Sequence, residues 1–224
     1  LRVPFENLSV IRGEPILLSE VQLVGKIVER GRGGFCFELN GAFFALLEAL
    51  GFTITRIGAA VKIDAGFTPD LDHMALIVTL DQPYLVDVGF GDSVRQPLPL
   101  HGEIKTDVSG RYRIWRDGEA AGYYLLQKAE GDAWMTQYRF TTEPRNLADY
   151  RSRCHHLATS PDSNFTQRTI CSMATPTGRI SLTGERLTIT DGDEQTKRPI
   201  TDDAAFNAAL VRYFGSAFLP AADG

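Results

Sequence analysis

Cys36, His73 and Asp87 are the residues of this 224-residue sequence whose types and order could together do nucleophilic thiol chemistry. A reactive thiol needs a lowered pKa, a base to hold its proton and a group that orients that base. Cys36 lies in Arg32-Gly33-Gly34-Phe35-Cys36-Phe37-Glu38-Leu39-Asn40, where two glycines let the chain turn sharply into a following helix. At the head of a helix, unpaired N–H groups and the macrodipole favour a thiolate. Arg32 would add positive charge if it points the right way. The plainer alternative is a small buried hydrophobe, which is what most cysteines are.

His73 opens the run His73-Met74-Ala75-Leu76-Ile77-Val78, the edge of an apolar strand from which a ring could act as a general base. Asp87 sits within Tyr84-Leu85-Val86-Asp87-Val88-Gly89-Phe90-Gly91, in sequence that otherwise reads as a buried strand. An interior carboxylate must be paired or hydrogen-bonded. Two strands joined by a turn would let Asp87 accept a hydrogen bond from the imidazole, although backbone N–H groups could satisfy it instead. His101, His155 and His156 lie in loop-like sequence with no comparable partner.

The elements that must position these groups follow from hydrophobic period. Ser19 to Val28 predicts a helix, with Ser19 and Gln22 at capping-box spacing. A second helix is expected from Cys36 to Leu50, stopped by Gly51, with Leu39, Phe43, Leu46 and Leu50 as its buried face. Strands are predicted over Thr53 to Ile63, Met74 to Leu80 and Tyr84 to Val88, with Asp81-Gln82-Pro83 as a turn. Further strands are expected over Arg111 to Arg116, Tyr123 to Lys128 and Trp134 to Phe140, the first pair joined by an Asp117-Gly118 hairpin. Thr141 to Asn164 reads as loop with a short helix. Phe165 to Met173, Arg179 to Leu182 and Arg186 to Thr190 read as strands. A final helix is capped by Thr201 or Asp202 and stopped by Gly215. Segregated helices and strands of this kind define an α+β fold.

Composition bounds the partners. With 28 acidic and 23 basic side chains the net charge is −5, and no Lys/Arg block marks a nucleic-acid or anionic-membrane surface. No run approaches the roughly 20 apolar residues of a membrane span. The opening LRVPFENLSV has no signal-peptide pattern. Cys36, Cys154 and Cys171 lack C-x-x-C spacing, so neither a disulfide framework nor a metal site is expected, and a reducing cytoplasm is the simpler reading. A homo-oligomer is left open.

The block Arg32–Asn40 resembles the active-site signature of the arylamine N-acetyltransferases. Pro4-Phe5-Glu6-Asn7-Leu8, His73-Met74 and Asp87-Val88-Gly89-Phe90-Gly91 are similar to three further family blocks, in the same order and at similar spacing. The resemblance is strongest up to about Phe140. It implies an N-terminal helical bundle carrying the cysteine (1–51), a central antiparallel β-barrel-like domain carrying His73 and Asp87 (52–140) and a C-terminal α/β lid (141–224). It further implies a papain-like Cys36–His73–Asp87 triad and acetylation of arylamines or hydrazines from acetyl-CoA through an acetyl-cysteine. By the same resemblance Phe5, Phe90 and Phe165 line the acceptor pocket, and Gly91 lets CoA approach the backbone. The family carries one or two helices ahead of the Pro4–Leu8 block, so a preceding segment is expected to be missing here. A papain- or transglutaminase-like hydrolase, or an amide synthase, would use the same three residues.

Overall fold

The computed structural model describes residues 2–116, 118 and 122–219. The chain begins with strand β1 (Phe5–Glu6), a short helix α1 (Leu8–Ile11) and helix α2 (Glu20–Val24), which runs into one π-helical turn at Gly25–Glu29. Ser19 is the N-cap of α2 but makes no side-chain cap bond, so the anticipated capping box is not formed. Helix α3 (Cys36–Ala49) follows, and Gly51 leaves it at φ +82°.

The α3 packing departs from the expected stripe. Leu39 is buried, but Leu46 and Leu50 are more than half exposed, and Phe44 and Leu47 pack instead. The first half of the helix is enclosed on every side, since Gly41 admits Leu23 where a Cβ would stand only 2.5 Å from it. Leu39, Phe43 and Leu46 line a cavity, with Phe43 also packed against the cluster of Phe44 and Leu47.

A nine-stranded antiparallel sheet comes next: β2 (Thr53–Ile63), β3 (Gly66–Phe67), β4 (His73–Thr79), β5 (Pro83–Val86), β6 (Leu98–Pro99), β7 (Lys105–Asp107), β8 (Gly110–Arg116), β9 (Tyr124–Glu130) and β10 (Ala133–Phe140). Its main path is β6-β5-β4-β2-β10-β9-β8-β7, with β3 paired to β2. It curls until β6 lies against β8, giving a nearly closed barrel. Ile57, Ala75, Ile77, Leu85, Ile114, Leu126 and Tyr138 fill its interior. On β4 the other face, with Leu76 and Val78, packs on Phe44 and Leu47 of α3. Burial on both faces explains the unbroken apolar run of this strand. Asp117, half of the expected hairpin pair, lies outside the described residues.

After a 3₁₀ turn at Leu147–Tyr150 come α4 (Arg151–Thr159) and α5 (Asn164–Gln167). Phe165 therefore stands in a helical turn, not at the head of a strand, because Ser163 caps that turn by accepting from the Phe165 N–H. A second antiparallel sheet contains β11 (Ile170–Ala174), β12 (Gly178–Thr183), β13 (Arg186–Asp191) and β14 (Glu194–Pro199), with β1 added at its edge through Phe5↔Ser172. Sequence reading did not anticipate β14, whose six residues are all exposed and carry no apolar period. Helix α6 (Asp203–Phe214) is capped by Asp202, accepting from the Ala205 N–H, and ends at Gly215. Its Leu210 packs with Leu182, Leu187 and Phe218 against the second sheet. The result is the α+β class expected from the segregation of periods. No helix among the described residues is long and apolar enough to cross a membrane.

Candidate active site

Three separate elements bring Cys36, His73 and Asp87 to one place. Cys36 is the first residue of α3, where Glu38 closes the helix start by accepting from the Phe35 N–H at 3.2 Å. Glu38 also takes the Lys26 ammonium at 2.6 Å, so the helix that carries the thiol is bolted to the preceding π turn. Gly34 is required at this bend, since a Cβ there would lie 2.6 Å from Glu38. Burial raises the Glu38 carboxyl above its ordinary range in spite of Lys26.

His73 opens β4 opposite Ala59 of β2, and Asp87 follows directly after β5. The Asp87 side chain thus leaves a strand end rather than a strand interior. The His73 Nε2 meets Asp87 Oδ2 at 2.7 Å, both side chains being almost fully buried. Because Nε2 is engaged, Nδ1 is the ring nitrogen left for the thiol. Every acceptor position of Asp87 is used: Oδ2 also accepts from Tyr138 Oη at 3.0 Å, and Oδ1 accepts from Asn40 Nδ2 at 2.9 Å and the Gly89 N–H at 2.8 Å. Asn40 reaches further, donating to the Met74 carbonyl at 2.6 Å and accepting from the Val88 N–H at 3.1 Å. One side chain of α3 therefore ties the strand bearing His73 to the loop bearing Asp87.

Electrostatics follow from this enclosure. Burial opposes the charged imidazolium, yet the charge and hydrogen bond of Asp87, with contributions from Cys36, push His73 up to about 10. Asp87 feels the same burial, but His73, Asn40 and Gly89 hold it below the usual carboxylate range. Burial pushes the Cys36 thiol up, while the hydrogen bond and charge of His73 and the Met74 N–H pull against it. Protons in such a pair belong to the pair rather than to either group. The Cys36 Sγ also has the Asp72 carbonyl at 3.9 Å.

Arg32 does not supply charge to the thiol. Its guanidinium is buried on Glu6 Oε1, with Nε at 3.2 Å and a terminal nitrogen at 2.8 Å, while Glu6 Oε2 accepts from the Leu8 N–H. That ion pair braces the segment entering α3.

Beside the site lies a largely apolar cavity of about 1000 Å³, at the upper end for a small-molecule pocket. Phe5, Asp87, Phe90 and Gly91 are among its lining residues, with Arg95 and Arg179. Phe90 packs edge-on to the His73 ring at 5.2 Å and against Tyr138 at 5.1 Å. Phe165 is not part of the cavity wall; it supports Phe5 at 6.1 Å and Phe35 at 5.4 Å. Tyr138 is the residue that sequence reading missed. A tyrosine at an inward strand position carries no mark of its contact until the strands are paired. Among the described residues no cluster of His, Cys, Asp and Glu could hold a metal ion.

A helix-head thiol, an imidazole and a fully hydrogen-bonded carboxylate beside a cavity are groups that together could do nucleophilic thiol chemistry. Residues 1–218 match a protein-family model described as N-acetyltransferase. The pineal gland arylamine N-acetyltransferase isozyme NAT-3 of Gallus gallus is 36% identical over 209 residues, covering 83% of this chain and 71% of its own. The arylamine N-acetyltransferase of Mycobacterium marinum in complex with CoA superimposes with a TM-score of 0.87 at 32% identity, covering 96% of this chain and 82% of that one. An arylamine N-acetyltransferase from Bacillus cereus, described as having a Cys-His-Glu triad, gives a TM-score of 0.88 at 29% identity, with coverages of 95% and 85%. The chain belongs to the arylamine N-acetyltransferase family, a family of transferases.

Proposed function

We propose that this chain moves an acetyl group from acetyl-CoA to an arylamine or hydrazine in two half-reactions, with Cys36 carrying the acetyl group between them. The observation that supports this most is the His73–Asp87 pair at 2.7 Å with its Asn40, Gly89 and Tyr138 contacts. It holds the imidazole beside a helix-head thiol and favours its protonated form. In the first step the Cys36 sulfur attacks the thioester carbonyl, its proton resting on His73, and the Cys36 N–H at the head of α3 faces the developing oxyanion. The carbon–sulfur bond to CoA breaks, and the CoA thiolate leaves with the proton returned by His73. In the second step the amine nitrogen attacks the acetyl-cysteine, His73 takes the amine proton and the Cys36 thiolate departs. Asp87 keeps the imidazole oriented throughout and stabilises it whenever it carries the proton, the third member's role.

Phe5 and Phe90 offer flat apolar walls to an aromatic acceptor, with Phe165 packed behind Phe5. Stacking of this kind contributes about 0.5–1.5 kcal/mol beyond area burial. Gly91 stands at φ +85°, a conformation that favours glycine, and it leaves bare backbone at the cavity wall where CoA would approach. Initial rates with acetyl-CoA and an aminobenzoate varied together test the scheme. Parallel double-reciprocal lines that vanish in Cys36→Ala support it. Intersecting lines, or turnover surviving in Cys36→Ala, refute it.

A further inference from the structure

An ion pair at the edge of the site joins two residues 81 apart in sequence. The Arg153 guanidinium of α4 donates through Nε at 2.7 Å, and through a terminal nitrogen as well, to Oδ1 of Asp72. Asp72 immediately precedes His73. The ladder of β4 begins at His73, opposite Ala59, so the Asp72 carbonyl stands outside the pairing that holds the rest of the strand. That carbonyl is the one 3.9 Å from the Cys36 sulfur. Two residues further on, the Met74 main chain favours the ionised sulfur, against the effect of burial. The main chain flanking His73 therefore approaches the sulfur through the Asp72 carbonyl, and its placement sets how the imidazole of His73 meets the thiol. Asn40 secures the Met74 end, and the Asp72 end is held by the Asp72 N–H on the Pro69 carbonyl at 3.0 Å and by Arg153.

We infer that Arg153, acting through Asp72, is a positioning residue for the Cys36 thiol, pinning the main chain of residues 72–74 against the sulfur. The Arg153 side chain is about a quarter exposed, and ion pairs of that kind add little to stability. Its weight lies in where it holds the backbone. The other titratable groups facing the thiol are His73 on β4, Asp87 after β5 and Tyr150 on the 3₁₀ turn. Asp70, on the same loop as Asp72, is occupied by Tyr123 and Arg139. With the pin removed, the contacts from residues 73 and 74 that favour the thiolate weaken while burial remains. Thiolate formation then moves to higher pH.

The inference rests on reading Cys36 as the nucleophile, and one experiment separates the two. Wild type, Arg153→Met, Arg153→Lys, Asp72→Asn and the Asp72→Asn/Arg153→Met double variant are compared well below their melting temperatures. Acetylation by acetyl-CoA in a single turnover and iodoacetamide labelling of Cys36 across pH are both recorded. Expected is an upward shift of the labelling midpoint in Arg153→Met and acetylation slowed about tenfold, in line with a sub-ångström displacement of a reacting group. Arg153→Lys recovers part of the rate. The double variant is no slower than Arg153→Met, since both changes break one contact. A lowered melting temperature with wild-type midpoint and rate would make the pair a simple brace and overturn the inference, as would additive single effects. A wild-type protein that takes no acetyl group refutes the functional reading alone, because the labelling arm needs no acetyl donor and still decides the role of Arg153.

Discussion

Gly89→Ala is the sharpest test of how the site is held. Gly89 donates its N–H to Asp87 Oδ1 at 2.8 Å and passes over the start of α3. A Cβ on this residue would lie 2.6 Å from Asn40 Nδ2, 2.8 Å from the Cys36 Cα and 3.0 Å from the Cys36 carbonyl oxygen. Ordinary contact begins at 3.4 Å, so the worst clash falls short by 0.8 Å. Two of the three obstructing atoms belong to the α3 backbone, which Glu38 and Lys26 fix, so the loop carrying Asp87 must give way. Overpacking of this sort costs about 1–3 kcal/mol. A shift approaching 1 Å in the group that orients a base reduces rate on the order of 10²-fold. Single-turnover acetylation and thermal melting measure the two effects, with Gly184→Ala as the control because a Cβ there meets nothing within 4 Å. Melting and acetylation both at wild-type level in Gly89→Ala would refute the reasoning that close backbone approach positions Asp87.

Three further outcomes are expected. Tyr138→Phe removes a donor from the buried Asp87 carboxylate, which should lower stability by about 1–3 kcal/mol and slow acetylation, as measured by urea melts and burst rates. For the pH dependence, His73 is raised from 6.5 to about 10, so its contribution to stability is complete below about 6.5 and is lost as pH rises through 10. The difference in urea midpoint between wild type and His73→Gln should therefore shrink steadily across that window, and a constant difference would contradict the assignment. Finally, Lys26→Met leaves the buried Glu38 carboxylate without its cation and should destabilise by about 3–5 kcal/mol, whereas the Lys26→Met/Glu38→Gln pair should recover much of that in a denaturation cycle.

Much of this arrangement was legible in the residue pattern, for identifiable reasons. The glycine pair before Cys36 and the helix period after it marked a sharp turn into α3, and Gly33 and Gly34 both stand where a Cβ would clash. Asp87 could be noticed because a carboxylate in apolar sequence demands partners. Which partners it had was not legible: Asn40, Gly89 and Tyr138 are 47, 2 and 51 residues away, and two of those contacts exist only once strands and helix are packed. Arg32 suggested positive charge near the thiol, but its pairing with Glu6 instead depends on β1 joining the second sheet. Phe165 looked like the start of a strand because its neighbours are β-prone, and the local cap from Ser163 overrode them. Strand β14 was missed because it is held by backbone pairing to β13 with no buried side chain to give it a period. Leu46 and Leu50 looked like core from spacing alone, since period reports an apolar face without saying what covers it.

The most direct test of the central claim is intact mass after brief exposure to acetyl-CoA alone, followed by addition of an arylamine. The account predicts a gain of one acetyl group on wild type, none on Cys36→Ala, and discharge onto the amine faster than onto water. An unmodified folded wild type, or an acetyl group that persists in Cys36→Ala, would contradict it.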